Sequence, residues 1–208
     1  MKTQSLSLPL PKSISVCSDD DWGDRRLLRE AEQDRKAFAA LYRRHVNRVY
    51  RFLMVRVGNV EDTQDLTTQT FMAALDGKAN YREEGTVASW LLGIAHNKCL
   101  EHFRRQRQQD SLESGMDVAD NRNSPEDSAH IALQLEQVVQ TLRQISPERA
   151  EALSLRYFSE LSHREISEIM GKTEDAVKML VHRGLKDLKT RMAVHGNETG
   201  DVNEGEVR

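Results

Sequence analysis

The sequence predicts an all-α protein made of two small helical domains joined by an acidic flexible linker, the second domain a helix-turn-helix. Three observations carry this. Charged residues make up 30% and aromatics 5% of the 208 residues, and β-branched runs bounded by turn signals are scarce. Apolar residues recur at three- and four-residue steps in two blocks, residues 25–108 and 129–193, each long enough for a modest helical core. Between them, residues 109–128 lose that period, and six acids (Asp110, Glu113, Asp117, Asp120, Glu126, Asp127) stand against the single Arg122. Residues 1–24 and 194–208 are expected to be a disordered arm and tail.

In the first block, Leu28, Ala31, Phe38, Leu41, Tyr42, Val49, Phe52 and Leu53 mark a core-facing helix, or a pair broken near Asp34. Gly58 and Asn59 stop it. Glu61, Asp62 and Asp65 then load acid into the first turns of a second helix, which buries Leu66, Phe71, Ala74 and Leu75 and ends near Leu75. After a polar loop over residues 77–85, a third helix starts near Thr86 with Val87, Trp90, Leu91, Ile94 and Ala95 on one stripe. Its later turns carry Lys98, His102, Arg104, Arg105 and Arg107.

In the second block, Ile131, Leu135, Val138, Val139 and Leu142 form a short amphipathic helix. Ser146 and Pro147 are the N-cap and first-turn proline of the next, which runs through Leu153 and Tyr157. Ser162 with Glu165 makes a capping box ahead of Ile166, Ile169 and Met170. Gly171 permits a tight turn, and Thr173 caps a last helix whose inward stripe is Val177, Leu180, Val181, Gly184, Leu185 and Leu188. Two helices meeting across a glycine turn are a helix-turn-helix candidate.

The formal net charge is −3 and the pI about 6.2, but bases gather in residues 98–107 and 172–191 while acids flank them. Two basic segments in an acidic chain fit nucleic acid as a partner better than the mean charge suggests. On the last helix, Lys178, Met179, His182 and Arg183 face outward in the half that reaches base edges in a major groove, and Lys186 follows toward the backbone. On the third helix, Trp90 and the basic turns combine a stacking group with phosphate partners, which suits unpaired DNA, and Asn97 offers an amide to an unstacked base. Trp90 also sits on the apolar stripe, where core packing is the commoner fate.

Other classes have little to rest on. Cys17 and Cys99 lack metal-ligand spacing, so neither a zinc site nor a disulfide framework is expected, and the compartment expected is the cytoplasm. The N-terminal leucines are interrupted by Pro9, Pro11 and Lys12, unlike a signal peptide or membrane span. There is no catalytic constellation and no phosphate loop, so neither enzymatic activity nor a cofactor is expected.

These residues resemble the extracytoplasmic-function sigma factors. The resemblance is carried by Ala37-Phe38 with Leu41-Tyr42, Asp62, Asp65-Leu66 with Phe71, Tyr81-Arg82, Ser89-Trp90-Leu91 with Ile94-Ala95 and Asn97, and in the second domain by Leu161-Ser162, Glu165-Ile166, Ile169-Met170, Ala176-Val177-Lys178 and His182-Arg183. It implies a sigma factor that binds core RNA polymerase and directs promoter-specific initiation. Asp62, Asp65, Thr68 and Gln69 would dock on the polymerase clamp. Trp90, Asn97, Lys98, Arg104 and Arg105 would hold the melted minus-ten element, and Lys178, Met179, His182, Arg183 and Lys186 would read the minus-thirty-five element. The linker would enter the polymerase's nucleic-acid channels, and an anti-sigma factor would restrain the two domains, whose mutual orientation the linker leaves free. Thr68-Gln69 stands where the family has Gln-Glu, and Met179-Leu180 where many members have Ser-Arg. The rival class is a stand-alone helix-turn-helix regulator with a helical sensing domain. It explains residues 161–188 but gives Trp90, Asn97 and the basic third helix no task.

Overall fold

The computed structural model describes residues 19–31, 33–77, 81, 83–112 and 129–198. Among them the regular structure is all helical. Four helices come first: α1 (Asp19–Glu30), α2 (Arg35–Val57), α3 (Val60–Gly77) and α4 (Val87–Leu112). The second set is α5 (Ala129–Gln144), α6 (Pro147–Leu153) with a π turn at Ser154–Phe158, α7 (His163–Met170) and α8 (Glu174–Glu198). Most of the segment expected to be a linker lies outside the described residues.

Local chemistry fixes the boundaries. The Asp34 side chain accepts from Lys36 N and opens α2, which ends at Gly58 in the left-handed region, φ 71°. Asn59 Oδ1 accepts from Asp62 N at the start of α3. The buried threonines of α3 return their hydroxyls to the preceding turn, Thr67 to Thr63 O and Thr70 to Leu66 O, both at 2.7 Å. They therefore enter the core without an unsatisfied group. The sequence underestimates the N-terminus: α1 starts at Asp19, ahead of the apolar period, with Asp19, Asp20 and Asp21 at its positive end.

In the first unit α2, α3 and α4 pack round Leu41, Phe52, Leu53, Leu66, Phe71, Leu91, Leu92 and Ala95. α1 docks through polar as well as apolar contacts. Asp24 is buried and receives His45 Nε2 at 2.7 Å and Arg44 Nη1 at 2.8 Å. Burial pushes this carboxyl up, but the hydrogen bonds from His45 and Arg44 and their charges outweigh it and hold it below its usual value. Asp21 Oδ1 accepts from Val87 N, so α1 caps the first turn of α4.

In the second unit the core is Leu142, Ile145, Leu153, Leu155, Leu161, Ile166, Val177 and Val181. The capping box forms as expected, with Ser162 N donating to Glu165 Oε2 at 2.8 Å and Glu165 N to Ser162 Oγ at 3.3 Å. Gly171 takes φ 61°, and Thr173 Oγ1 accepts from Ala176 N at 3.2 Å. Ser146 occupies the N-cap of α6 but makes no side-chain bond there, leaving Pro147 to start the helix.

Two expected core residues are exposed: Tyr42 at 41%, its ring against Phe71, and Leu75 at 38%. Sequence period places a residue on a face within about one helical position and does not say how far the neighbouring helix extends over it.

The units also touch each other. α2 meets the π turn and α5, and α4 meets α7. Arg143 Nη2 donates to Val57 O at 2.7 Å, satisfying a carbonyl at the end of α2. Where the sequence leaves the mutual orientation free, the structure joins the units in one continuous apolar core.

Candidate nucleic-acid interface

The packing of α8 determines its outward face. Val177, Val181 and Gly184 are buried, and Leu180, Leu185 and Leu188 are half-buried. Lys178, Met179, His182, Arg183 and Lys186 are all exposed, so the five residues singled out from sequence share one solvent-facing surface. Lys178 is engaged by Glu174 at 3.1 Å and Asp175 at 3.3 Å, and hydrogen bonds to these two acids raise its ammonium pKa. Among the described residues His182, Arg183 and Lys186 have no ion-pair partner. A free guanidinium keeps its donor fork available for a bidentate acceptor. His163, at the start of α7, is held below its usual pKa, by partial burial first and then by Arg156 and Lys178.

α4 presents a second basic face. Asn97, Arg104 and Arg105 are exposed and Lys98 is half-buried. Arg105 is tied to Glu101 at 2.6 Å and Lys98 lies 3.6 Å from the same carboxylate, while Arg104, which has no ion-pair partner among the described residues, lines the cavity with Asn97. Trp90 is half-buried and packs on Tyr81 with ring centroids 5.4 Å apart, separate from the shallow cavity that Asn97, Leu100, Glu101 and Arg104 line. Leu100, 47% exposed, lines that cavity and was missed by sequence reasoning. Its i+3 spacing from Asn97 and i−4 spacing from Arg104 is the signal that could have found it.

α3 carries the third face, and it is acidic. Asp65, Thr68 and Gln69 are exposed together. Asp62 is set apart, half-buried, with an oxygen 4.0 Å from His102 Nε2 of α4. Sequence reasoning also missed Met72, 61% exposed, which with Leu75 gives this face an apolar end. Among the described residues no three His, Cys, Asp or Glu side chains are grouped to hold a metal, and no helix is long and apolar enough to cross a membrane.

Comparison with known proteins follows the same division. Residues 41–109 match the family described as Sigma-70 region 2 and residues 135–188 the one described as Sigma-70, region 4. The chain is 33% identical over 155 residues to the ECF RNA polymerase sigma factor BldN of Streptomyces coelicolor, covering 73% of this chain and 59% of that protein. It is 30% identical over 162 residues to the RNA polymerase sigma factor YlaC of Bacillus subtilis, covering 76% and 93%. The fold is similar to CnrH in its complex with the cytosolic domain of CnrY (TM-score 0.66, 21% identity, 83% of this chain and 98% of that one). It is also similar to RpoE bound to the anti-sigma factor NepR from Bartonella quintana (TM-score 0.68, 19% identity, 76% and 98%).

Proposed function

The chain belongs to the sigma-70 family, as an extracytoplasmic-function sigma factor that directs promoter-specific transcription initiation, and we propose that its three exposed faces divide that work. The face of α3 at Asp65, Thr68, Gln69 and Met72 docks on core RNA polymerase: carboxylates repel phosphate and suit a basic helix, and an exposed methionine adds adaptable apolar contact. Asp62 acts at the margin of this face. The face of α4 at Asn97, Lys98, Leu100, Arg104 and Arg105 holds the melted minus-ten strand, with Trp90 supporting it from the core side. The face of α8 at Lys178, Met179, His182, Arg183 and Lys186 reads the minus-thirty-five duplex.

The observation that carries this reading is the outward set on α8, held by a capping box, a glycine turn and a buried Val177-Val181-Gly184 stripe, in the same chain as a second basic helix. A stand-alone regulator would leave the faces of α3 and α4 without a task. The protein makes and breaks no bonds itself, needs no cofactor, acts in the cytoplasm and takes an anti-sigma factor as a partner, as RpoE does in its complex with NepR. Footprinting of core enzyme plus this chain on a responsive promoter tests the division: protection at both elements is expected, and protection of the minus-thirty-five element without polymerase would instead favour the stand-alone regulator.

A further inference from the structure

α2 carries seven Lys and Arg side chains and no Asp or Glu over its 23 residues, in a chain where acids outnumber bases by 33 to 30. Clustering along the sequence hides this, because apolar residues interrupt the cations. Core packing sorts them by face. Ala37, Leu41, His45, Val49 and Phe52 turn inward, so Lys36, Ala40, Arg43 and Asn47, at steps of four, three and four residues, form the opposite ridge.

Four of the seven cations are engaged within the fold. Arg44 pairs with buried Asp24 at 2.8 Å, Arg48 and Arg51 reach Glu160 at 3.2 and 3.8 Å, and the Arg56 guanidinium lies 5.8 Å from the centre of the Phe103 ring. Arg35, Lys36 and Arg43 are exposed and have no carboxylate partner among the described residues. Asn47, also exposed, has no hydrogen-bond partner among them.

Lys36 and Arg43 lie about 10 Å apart along the helix axis, and Arg43 and Asn47 about 6 Å. Ala40, half-buried between the two cations, leaves room for a partner backbone to come close. Phosphate oxygens accept from Lys, Arg and Asn alike, so one strand of nucleic acid can satisfy all three donors. An acidic protein surface would match the cations but has no particular use for the amide. The ridge also has no exposed aromatic to stack on an unpaired base: Tyr42, the exposed ring of α2, is turned to Phe71 of α3.

We propose that this ridge of α2 grips the sugar–phosphate backbone of duplex promoter DNA adjoining the melted element, without reading its sequence. The proposal rests on the sigma-factor reading, under which promoter DNA lies along α4, and α4 packs directly against α2. The ridge adds affinity that all promoters share and that salt weakens, whereas α8 adds affinity that depends on the bases.

Lys36→Gln with Arg43→Gln removes two cations from an exposed surface, so circular dichroism and melting should be unchanged; Lys36→Arg with Arg43→Lys keeps both charges and is the control. Core enzyme reconstituted with each full-length chain is footprinted on one promoter fragment between about 50 and 200 mM salt, the range over which phosphate contacts weaken steeply. The glutamine pair should lower promoter affinity at least about fivefold and reduce the slope of log affinity against log salt by about 2, since each phosphate contact contributes about 0.9. The control should match wild type in both, and the deficit should be equal on promoters of different sequence. Binding to core enzyme without DNA should not change. On fork-junction DNA trimmed of its duplex on one side of the melted element or the other, one of the two trims should erase the deficit; a deficit that survives both would overturn the assignment to duplex. An unchanged salt slope would overturn the phosphate contact, and a loss of core binding with it would give the ridge to the polymerase instead. None of these results touches the sigma-factor assignment, which fails only if the wild-type chain brings no promoter-dependent transcripts to core enzyme.

Discussion

Gly184 of α8 lies so close to Leu153 of α6 that a Cβ on it would come within 3.0 Å of Leu153 Cδ1 and 3.3 Å of Arg149 Cβ. Leu153 is 2% exposed and has no space to retreat into. This approach, with the Arg149–Asp187 ion pair beside it, determines how far α8 stands from the rest of the second unit. Gly184→Val should push α8 outward and destabilise the fold by about 2 kcal/mol, since overpacking of a tight core costs about 1–3 kcal/mol. Thermal unfolding measures the stability loss. Protection of the minus-thirty-five element by core enzyme plus this chain should fall further than the unfolded fraction explains.

Arg183, exposed on α8 and free of an ion pair among the described residues, is the residue we propose to contact guanine. Arg183→Ala should flatten the response of transcription to base changes in the minus-thirty-five element, because a bidentate contact discriminates by about 1–3 kcal/mol. Lys189→Ala should instead weaken all promoters alike and lessen the salt dependence. If Arg183→Ala lowered activity uniformly with base preference intact, the arginine would be a phosphate contact.

Asp65→Arg and Met72→Asp alter the α3 face without entering the core, since both residues are exposed. Each should reduce co-purification with core polymerase at least about tenfold, equivalent to about 1.4 kcal/mol, with helix content and melting temperature unchanged. Intact polymerase binding by both variants would remove α3 from the docking surface.

The buried Asp24 carboxylate gives α1 a pH dependence of known sign. Its folded pKa is depressed, so its contribution is complete above the unfolded value of about 3.9 and is lost as pH falls toward the lower folded value. Asp24→Asn should cost about 3 kcal/mol at pH 7, the scale for breaking a buried pair. Melts between pH 6 and pH 3 should show wild type losing part of its advantage over Asp24→Asn; a constant difference would mean that folding leaves the pKa of Asp24 unchanged.

Much of the second unit was legible because its signals are local. Ser162 with Glu165, Gly171 and Thr173 each act within four residues, and the α8 stripe follows one period. The interface between units was not legible. Arg143 reaches Val57 O across 86 positions and Thr86 reaches Glu165 across 79, and no periodicity reports such a pairing. The first unit was legible in its helices but not in its margins. α1 is held by Asp21 and Asp24 rather than by apolar period alone, and Met72 and Leu75 fit a helix facing either core or partner until the neighbouring helices are in place.

Promoter-directed initiation is tested most directly by run-off transcription with core RNA polymerase stripped of other sigma factors, on genomic fragments, with and without this chain. Transcripts with defined start sites should appear only when the chain is present, and they should share sequence upstream at minus ten and minus thirty-five. The same transcript pattern in both reactions would contradict the assignment.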